Sequence, residues 1–254
     1  MGRPEQPSDD RRILGVRVDA TTYAGATERV LAWAGRGESR YVCCAAVNNI
    51  MEARRSPDYQ AVMDQADLVT SDGMPLVWML RWLGARPATR VYGPELMSVL
   101  LEAAGDAGLP VGFYGGTPPL LARLAARNRF PRLQVVYAEA PPFREPTPEE
   151  DRRTMQSIQD AGVRILFVGL GSPKQDRWMH AHKNQVQAVM LGVGAAFDFL
   201  AGAKPQAPRW MQSSGLEWAF RLASEPRRLW RRYLTQNPKF LVLAAAQLLK
   251  SRTT

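Results

Sequence analysis

The chain has 254 residues, 46% apolar and 22% charged, a mix that excludes disordered and fibrous classes. A chain this long buries roughly three quarters of its unfolded surface and needs no disulfide or metal staple. Its formal charge of +9 is uneven: residues 209–254 carry nine Arg and Lys against Glu217 and Glu225 (+7), and residues 1–208 carry 24 basic and 22 acidic groups (+2). The expectation is a near-neutral body over 1–208 and a basic helical appendage over 209–254.

In chain order, β-rich runs fall at 13–18, 41–46, 67–70, 111–114, 133–138, 164–169 and 188–192. Helical spacing lies between them, over 24–34, 48–66, 94–107, 118–129, 148–161 and 173–185. Ile165-Leu166-Phe167-Val168 is continuously apolar, as in strands covered on both faces. The alternation predicts an α/β fold, a Rossmann-like, mostly parallel sheet with helices on both faces. The first twelve residues are polar and lack a signal-peptide core. The late apolar run 240–249 includes Gln247 and falls short of the about twenty residues that span a bilayer. Cys43 and Cys44 are adjacent in a strand, point to opposite faces and cannot easily pair, which fits a reducing, cytoplasmic setting.

In such sheets ligands bind beyond the carboxyl ends of the strands. The run from Gly169 and Gly171 to Lys174 and Gln175 leaves an apolar strand and opens a helix. Glycines there let backbone approach an anion, and helix N-terminal amides favour phosphate; Pro173 suits an early helical position. The bland alternative is a tight turn that binds nothing, because the third glycine of a dinucleotide fingerprint is missing and there is no P-loop. Gly115-Gly116 and Gly192-Val193-Gly194 repeat the theme, and three such turns at one edge suggest a nucleotide or nucleotide-sugar. Asp72 follows a strand end. It is either a general base with a raised pKa or, more ordinarily, an N-cap for a helix starting near Pro75.

Several chemistries have no visible residues. His180 and His182, the only histidines, project about 200° apart on a helix, poor geometry for one metal. No Asp-x-Asp and no Gly-x-Ser-x-Gly occurs, so neither a metal-diphosphate site nor a serine hydrolase is expected. Over 226–234, Pro226 opens a helix. Arg227, Arg228, Arg231 and Arg232 fall within a roughly 140° arc, opposite Leu229, Trp230, Tyr233 and Leu234. Three readings stand: an interfacial helix drawn to anionic lipid, a helix packed by its aromatic face, or arginines gripping a diphosphate. Confinement of the charge to one amphipathic segment argues against a nucleic-acid partner.

The loops and tail together resemble the WecG/TagA/CpsF family of bacterial glycosyltransferases. ADLVTSDGM (66–74) is similar to that family's "ADLV.PDG", RVYGPELM (90–97) to "RV.G.DLM", VGLGSPKQ (168–175) to "VGLG.PKQ", and GVGAAFDFLAG (192–202) to "GVG..FDFLAG". PRWMQ (208–212), GLEW (215–218) and EPRRLWRRY (225–233) continue the match, in order, across nearly the whole chain. The resemblance implies an inverting, metal-independent hexosyltransferase with no cofactor. It implies transfer from a UDP-sugar, N-acetylmannosamine in type, to a sugar on undecaprenyl diphosphate, N-acetylglucosamine in type. The setting would be the cytoplasmic face of the membrane; the alternative is glucosyl transfer in capsule or exopolysaccharide assembly. It makes Asp72 the general base, Arg90 and Gln175 pocket residues and Asn48 a polar residue after the second strand. Arg221, Arg228 and Arg231 would close over the site. Gly115, Gly116, Gly169, Gly171 and Gly194 would shape the donor turns, and an anionic membrane surface joins the two substrates as a partner. Oligomeric state, a homo-oligomer included, is left open. One departure bears on sugar identity: where the family commonly has threonine two positions before the matched asparagine, this chain has Ala46.

Overall fold

The computed structural model describes residues 9–126 and 130–251, apart from the side chains of residues 126, 228 and 232. It opens with an antiparallel hairpin, β1 (Asp10–Ile13) and β2 (Val16–Asp19). The pattern predicts one strand over 13–18. Instead Leu14 and Gly15 take φ of 51° and 91°, the left-handed pair that a two-residue hairpin turn requires. There follow α1 (Tyr23–Gly35), β3 (Arg40–Ala45), α2 (Val47–Ala53), α3 (Pro57–Asp64), β4 (Leu68–Ser71), α4 (Met74–Trp82) and α5 (Gly93–Asp106). Next come β5 (Val111–Gly115), α6 (Pro118–Ala126), β6 (Val135–Glu139), α7 (Pro148–Asp160), β7 (Ile165–Gly169), α8 (Lys174–His182) and β8 (Val189–Gly192). The chain finishes with α9 (Ala196–Leu200), α10 (Arg209–Ser213), α11 (Glu217–Ser224) and α12 (Pro226–Ser251).

Six strands form one parallel sheet in the order β4-β3-β8-β7-β5-β6, so their carboxyl ends share one edge. Alternate residues feed two core layers. On one face Cys43, Val69, Leu166 and Met190 pack with Ile50, Met63, Leu80 and Met179. On the other Val42, Leu68, Phe167 and Leu191 pack with Val30, Leu100 and Phe197. The two cysteines divide between these faces as expected, Cys43 in one layer and Cys44 against the other, and both are free thiols.

The helical pattern over 48–66 is two helices. The residue before a proline is pushed out of the α region: Ser56 sits at φ −125°, ψ 103° and its Oγ accepts from Tyr59 N at 3.3 Å, capping α3 with Pro57 in its first turn. Conversely, the chain does not break at Pro238, and α12 runs on for 26 residues. An interior proline disfavours a helix by about 3 kcal/mol. The compensation lies beyond it: Phe240 and Ala244 are buried in the first core layer, and Gln247 clasps the hairpin turn, accepting from Leu14 N at 2.8 Å and donating to Arg12 O at 2.7 Å. Among the described residues no helix is long and apolar enough to cross a membrane.

Candidate active site

Asp72 stands one residue past β4, and its N–H extends the β3–β4 ladder to Ala45 O at 2.8 Å. The segment before α5 runs alongside: Val91 N donates to Ser71 O at 2.9 Å, and Ser71 Oγ to Thr89 O at 2.9 Å. This brings Gly93 N to Asp72 Oδ2 at 3.0 Å and Arg90 Nε to Asp72 O at 2.6 Å. The side chain therefore does not cap the helix near Pro75. The N-cap of α4 is Gly73, without a side-chain bond, and Asp72 accepts from the first turn of α5 instead.

The second half of the site comes from the C-terminal helices. Glu217, at the start of α11, bridges two guanidiniums: Arg90 Nη2 on Oε2, and Arg221 Nε on Oε1 at 2.8 Å. Arg221 Nη2 donates to Tyr92 Oη at 2.9 Å, and the Arg90 guanidinium lies 4.2 Å from the Tyr92 ring centre. Asp72, Arg90, Glu217 and Arg221 line a pocket of about 110 Å³ whose wall also includes Ala46, Asn48, Gln236 and Asn237, with Tyr92 behind the two guanidiniums. Burial pushes the Asp72 carboxyl up to about 6; Arg90 and Arg221 oppose the rise and the Glu217 charge adds to it. A carboxylate with that pKa is ionised at neutral pH yet more basic than an ordinary aspartate.

The glycine turns form a separate place on the same edge. Gly115 has φ +126°, and a Cβ on it would lie 2.6 Å from the Gly169 carbonyl; a Cβ on Gly169 would lie 2.7 Å from Phe197 Cε2. Turn packs on turn so tightly that only glycine fits. Gly116 and Gly169 line a pocket of about 450 Å³ with Arg123, Lys174 and Asp198, a volume in the usual range for small-molecule sites. Arg123 and Asp198 join the pocket from α6 and α9, which their sequence spacing does not signal. Gln175 is 4% exposed beneath these turns. Its Oε1 accepts from Gly171 N at 3.1 Å, and Gly194 lies beside it, with Gln175 Oε1 3.6 Å from the place of an added Cβ. The strand order puts Asp72 and Gly169 three spacings apart, about 14 Å. A cleft of about 1130 Å³ shares Met74, Arg90 and Gln212 with the Asp72 pocket.

A family model described as the glycosyl transferase WecG/TagA/CpsF family matches residues 11–254. The chain belongs to this family. It is a glycosyltransferase, of a family that acts in cell-surface polysaccharide synthesis.

In this glycosyltransferase the structure brings Asp72, Arg90, Arg221 and Asn48 around one pocket. The adjacent asparagines part company: Asn48 faces the pocket, whereas Asn49 is buried and bonds Tyr59 Oη at 2.9 Å and Ser172 Oγ at 2.8 Å. Gly115, Gly116, Gly169, Gly171, Gly194 and Gln175 gather at the other turns. Arg231 is not brought to either pocket; it is exposed, with its guanidinium 5.3 Å from the Trp230 ring centre. The side chain of Arg228 lies outside the described residues. The aromatic face of this helix packs on the body only in part. Leu229 is buried, whereas Trp230 and Leu234 stay 46% and 58% exposed, because α12 turns Leu229 and Phe240 toward the body. His180 Nδ1 meets Tyr41 Oη at 3.2 Å, and His182 pairs with Asp151 at 2.9 Å. Among the described residues no three His, Cys, Asp or Glu gather as a metal site. Tyr92 of the body carries no chemical signal beyond its place beside Arg90. For Glu217, Gln212, Gln236 and Asn237 the sequence says only that the appendage follows the body, and the return of α11 and α12 to β4 is a tertiary fact.

Proposed function

We propose that the protein transfers a hexose, N-acetylmannosamine in type, from a UDP-sugar to a sugar on undecaprenyl diphosphate, with inversion at the anomeric carbon. The single observation that carries this reading is the Asp72 carboxyl, raised to about 6 and set in a pocket walled by amides and guanidiniums. Asp72 takes the proton of an acceptor hydroxyl. That oxygen bonds the anomeric carbon from the face opposite the nucleotide, and the bond from carbon to the diphosphate oxygen breaks, releasing UDP. Arg90 and Arg221 stabilise the charge that develops on the leaving group, with Glu217 holding them until the phosphates compete for them. The glycine turns, Lys174 and Gln175 carry the donor's nucleotide side. Asn48 contacts sugar.

The exposed face of α12, with Trp230, Leu234, Leu241 and Arg231, supports docking on an anionic lipid surface at the cytoplasmic side, and residues 209–254 then act as the closing appendage of a body over 1–208. Ala46 in the pocket wall favours one second reading, a glucosyl donor. The experiment is transfer onto synthetic lipid-diphosphate N-acetylglucosamine from a pool of UDP-sugars, with product mass read. A gain of one N-acetylhexosamine supports the first reading, a gain of one hexose the second, and no gain with any donor overturns the acceptor class.

A further inference from the structure

Gln236 sits on α12, one turn beyond Tyr233, in the wall of the Asp72 pocket. Its Oε1 is shut off from solvent and, among the described residues, has no hydrogen-bond partner. An unpaired buried acceptor costs about 1–3 kcal/mol, and folded proteins hold few of them. The charged groups of the same pocket are held mainly by one another. Arg90 is held by Glu217 and the Asp72 carbonyl, and Arg221 by Glu217 and Tyr92. In this wall Gln236 carries the buried acceptor without a partner, and Arg221 Nε, ion-paired to Glu217 but in poor hydrogen-bond geometry, is a buried donor in the same condition. Asn48 and Asn237 share the wall with it, together with Ala46 and Gly73. A small cavity with amide walls, an unspent acceptor and a proton-accepting carboxylate suits a ring that presents several O–H or N–H groups.

We propose that Gln236 determines acceptor specificity: with its amide turned into the cavity, its Oε1 accepts a hydrogen bond from a ring hydroxyl or acetamido N–H near the hydroxyl that Asp72 deprotonates. This rests on the acceptor reading above. The C-terminal helix then does more than cover the site, because it carries the group that reads the sugar. A site built to bond a polar substituent rejects the analogue without it, since the buried partner is left unpaired.

The test compares the parent protein with Gln236→Leu and Gln236→Asn on lipid-diphosphate N-acetylglucosamine, its desacetamido form and its monodeoxy forms. The parent should disfavour one analogue by about tenfold or more in kcat/KM. Gln236→Leu should lower kcat/KM for the full acceptor by a similar factor and remove that discrimination, with KM for the UDP-sugar unchanged within about twofold. If Gln236→Leu does not fold, Gln236→Asn carries the test, because its shortened amide should weaken the same discrimination. An unchanged ranking of analogues in a folded variant overturns the assignment and leaves the acceptor reading standing. No transfer by the parent onto any of these lipids overturns both.

Discussion

The two pockets at the strand ends are built on different principles. The glycine-turn pocket is made by the body alone, and its shape is set by backbone packed against backbone at Gly115 and Gly169. The Asp72 pocket is made of side chains, and half of them, Glu217, Arg221 and Gln236 among them, come from the C-terminal helices. A backbone site exists as soon as the sheet forms. A site of opposed charges depends on every partner being present, because each guanidinium and carboxylate there sits in partial burial and relies on the next. In the proposed function the nucleotide side falls to the scaffold of the sheet, and the chemistry to the seam between body and appendage.

The largest expected effect falls on the seam. Asp72→Asn keeps the bulk and removes the base, so transfer should fall by about 10²–10⁴, while UDP binding, read by calorimetry, stays within about twofold of the parent; loss of both together would join the two pockets into one. Arg221→Ala should come next, lowering kcat by about tenfold to a hundredfold with the KM for donor little changed. Gly115→Ala attacks the other pocket. The added methyl has backbone at 2.6 Å in its path, so UDP affinity should fall by about tenfold with the acceptor KM unmoved. Phe240→Ala asks whether the appendage is part of the body. Loss of this buried ring should destabilise the whole fold by about 3 kcal/mol in a single denaturation step, and two steps would show a separable unit. The smallest effect belongs to Arg231→Ala. Transfer from a detergent-soluble acceptor should change less than about twofold, and retention on anionic vesicles should fall by about 1 kcal/mol.

The sheet was legible because its strands are buried on both faces and read as apolar runs, Ile165 to Val168 most plainly. The hairpin at Leu14-Gly15 was not, because its flanking apolar residues continue a strand pattern straight through the turn. The body's half of the site could be read from the motifs leaving β4 and β7. Even there the capping reading of Asp72 named the wrong helix, since the amide it accepts from belongs to Gly93, twenty-one positions away. The appendage's half was legible as charge and not as position. Its arginines announce affinity for anions, but which of them returns to the pocket depends on where α12 docks, and that is decided by Phe240 and Gln247, which look like any apolar and polar pair in a helix.

The pH dependence of kcat/KM in the parent and in Glu217→Gln tests the central claim most directly. Asp72 must be ionised to act, and its folded-state pKa is raised, so the rate should climb as pH rises to about 6 and flatten above it. The protonated form is favoured by folding, so this group's contribution to stability is present at low pH and lost as pH rises through the same range. The Glu217 charge helps to hold that pKa up, so Glu217→Gln should move the acidic limb of the profile downward. A rate that is flat from pH 5 to pH 8 in the parent, or a limb that Glu217→Gln leaves in place, would contradict a base at Asp72 tuned by the C-terminal helices.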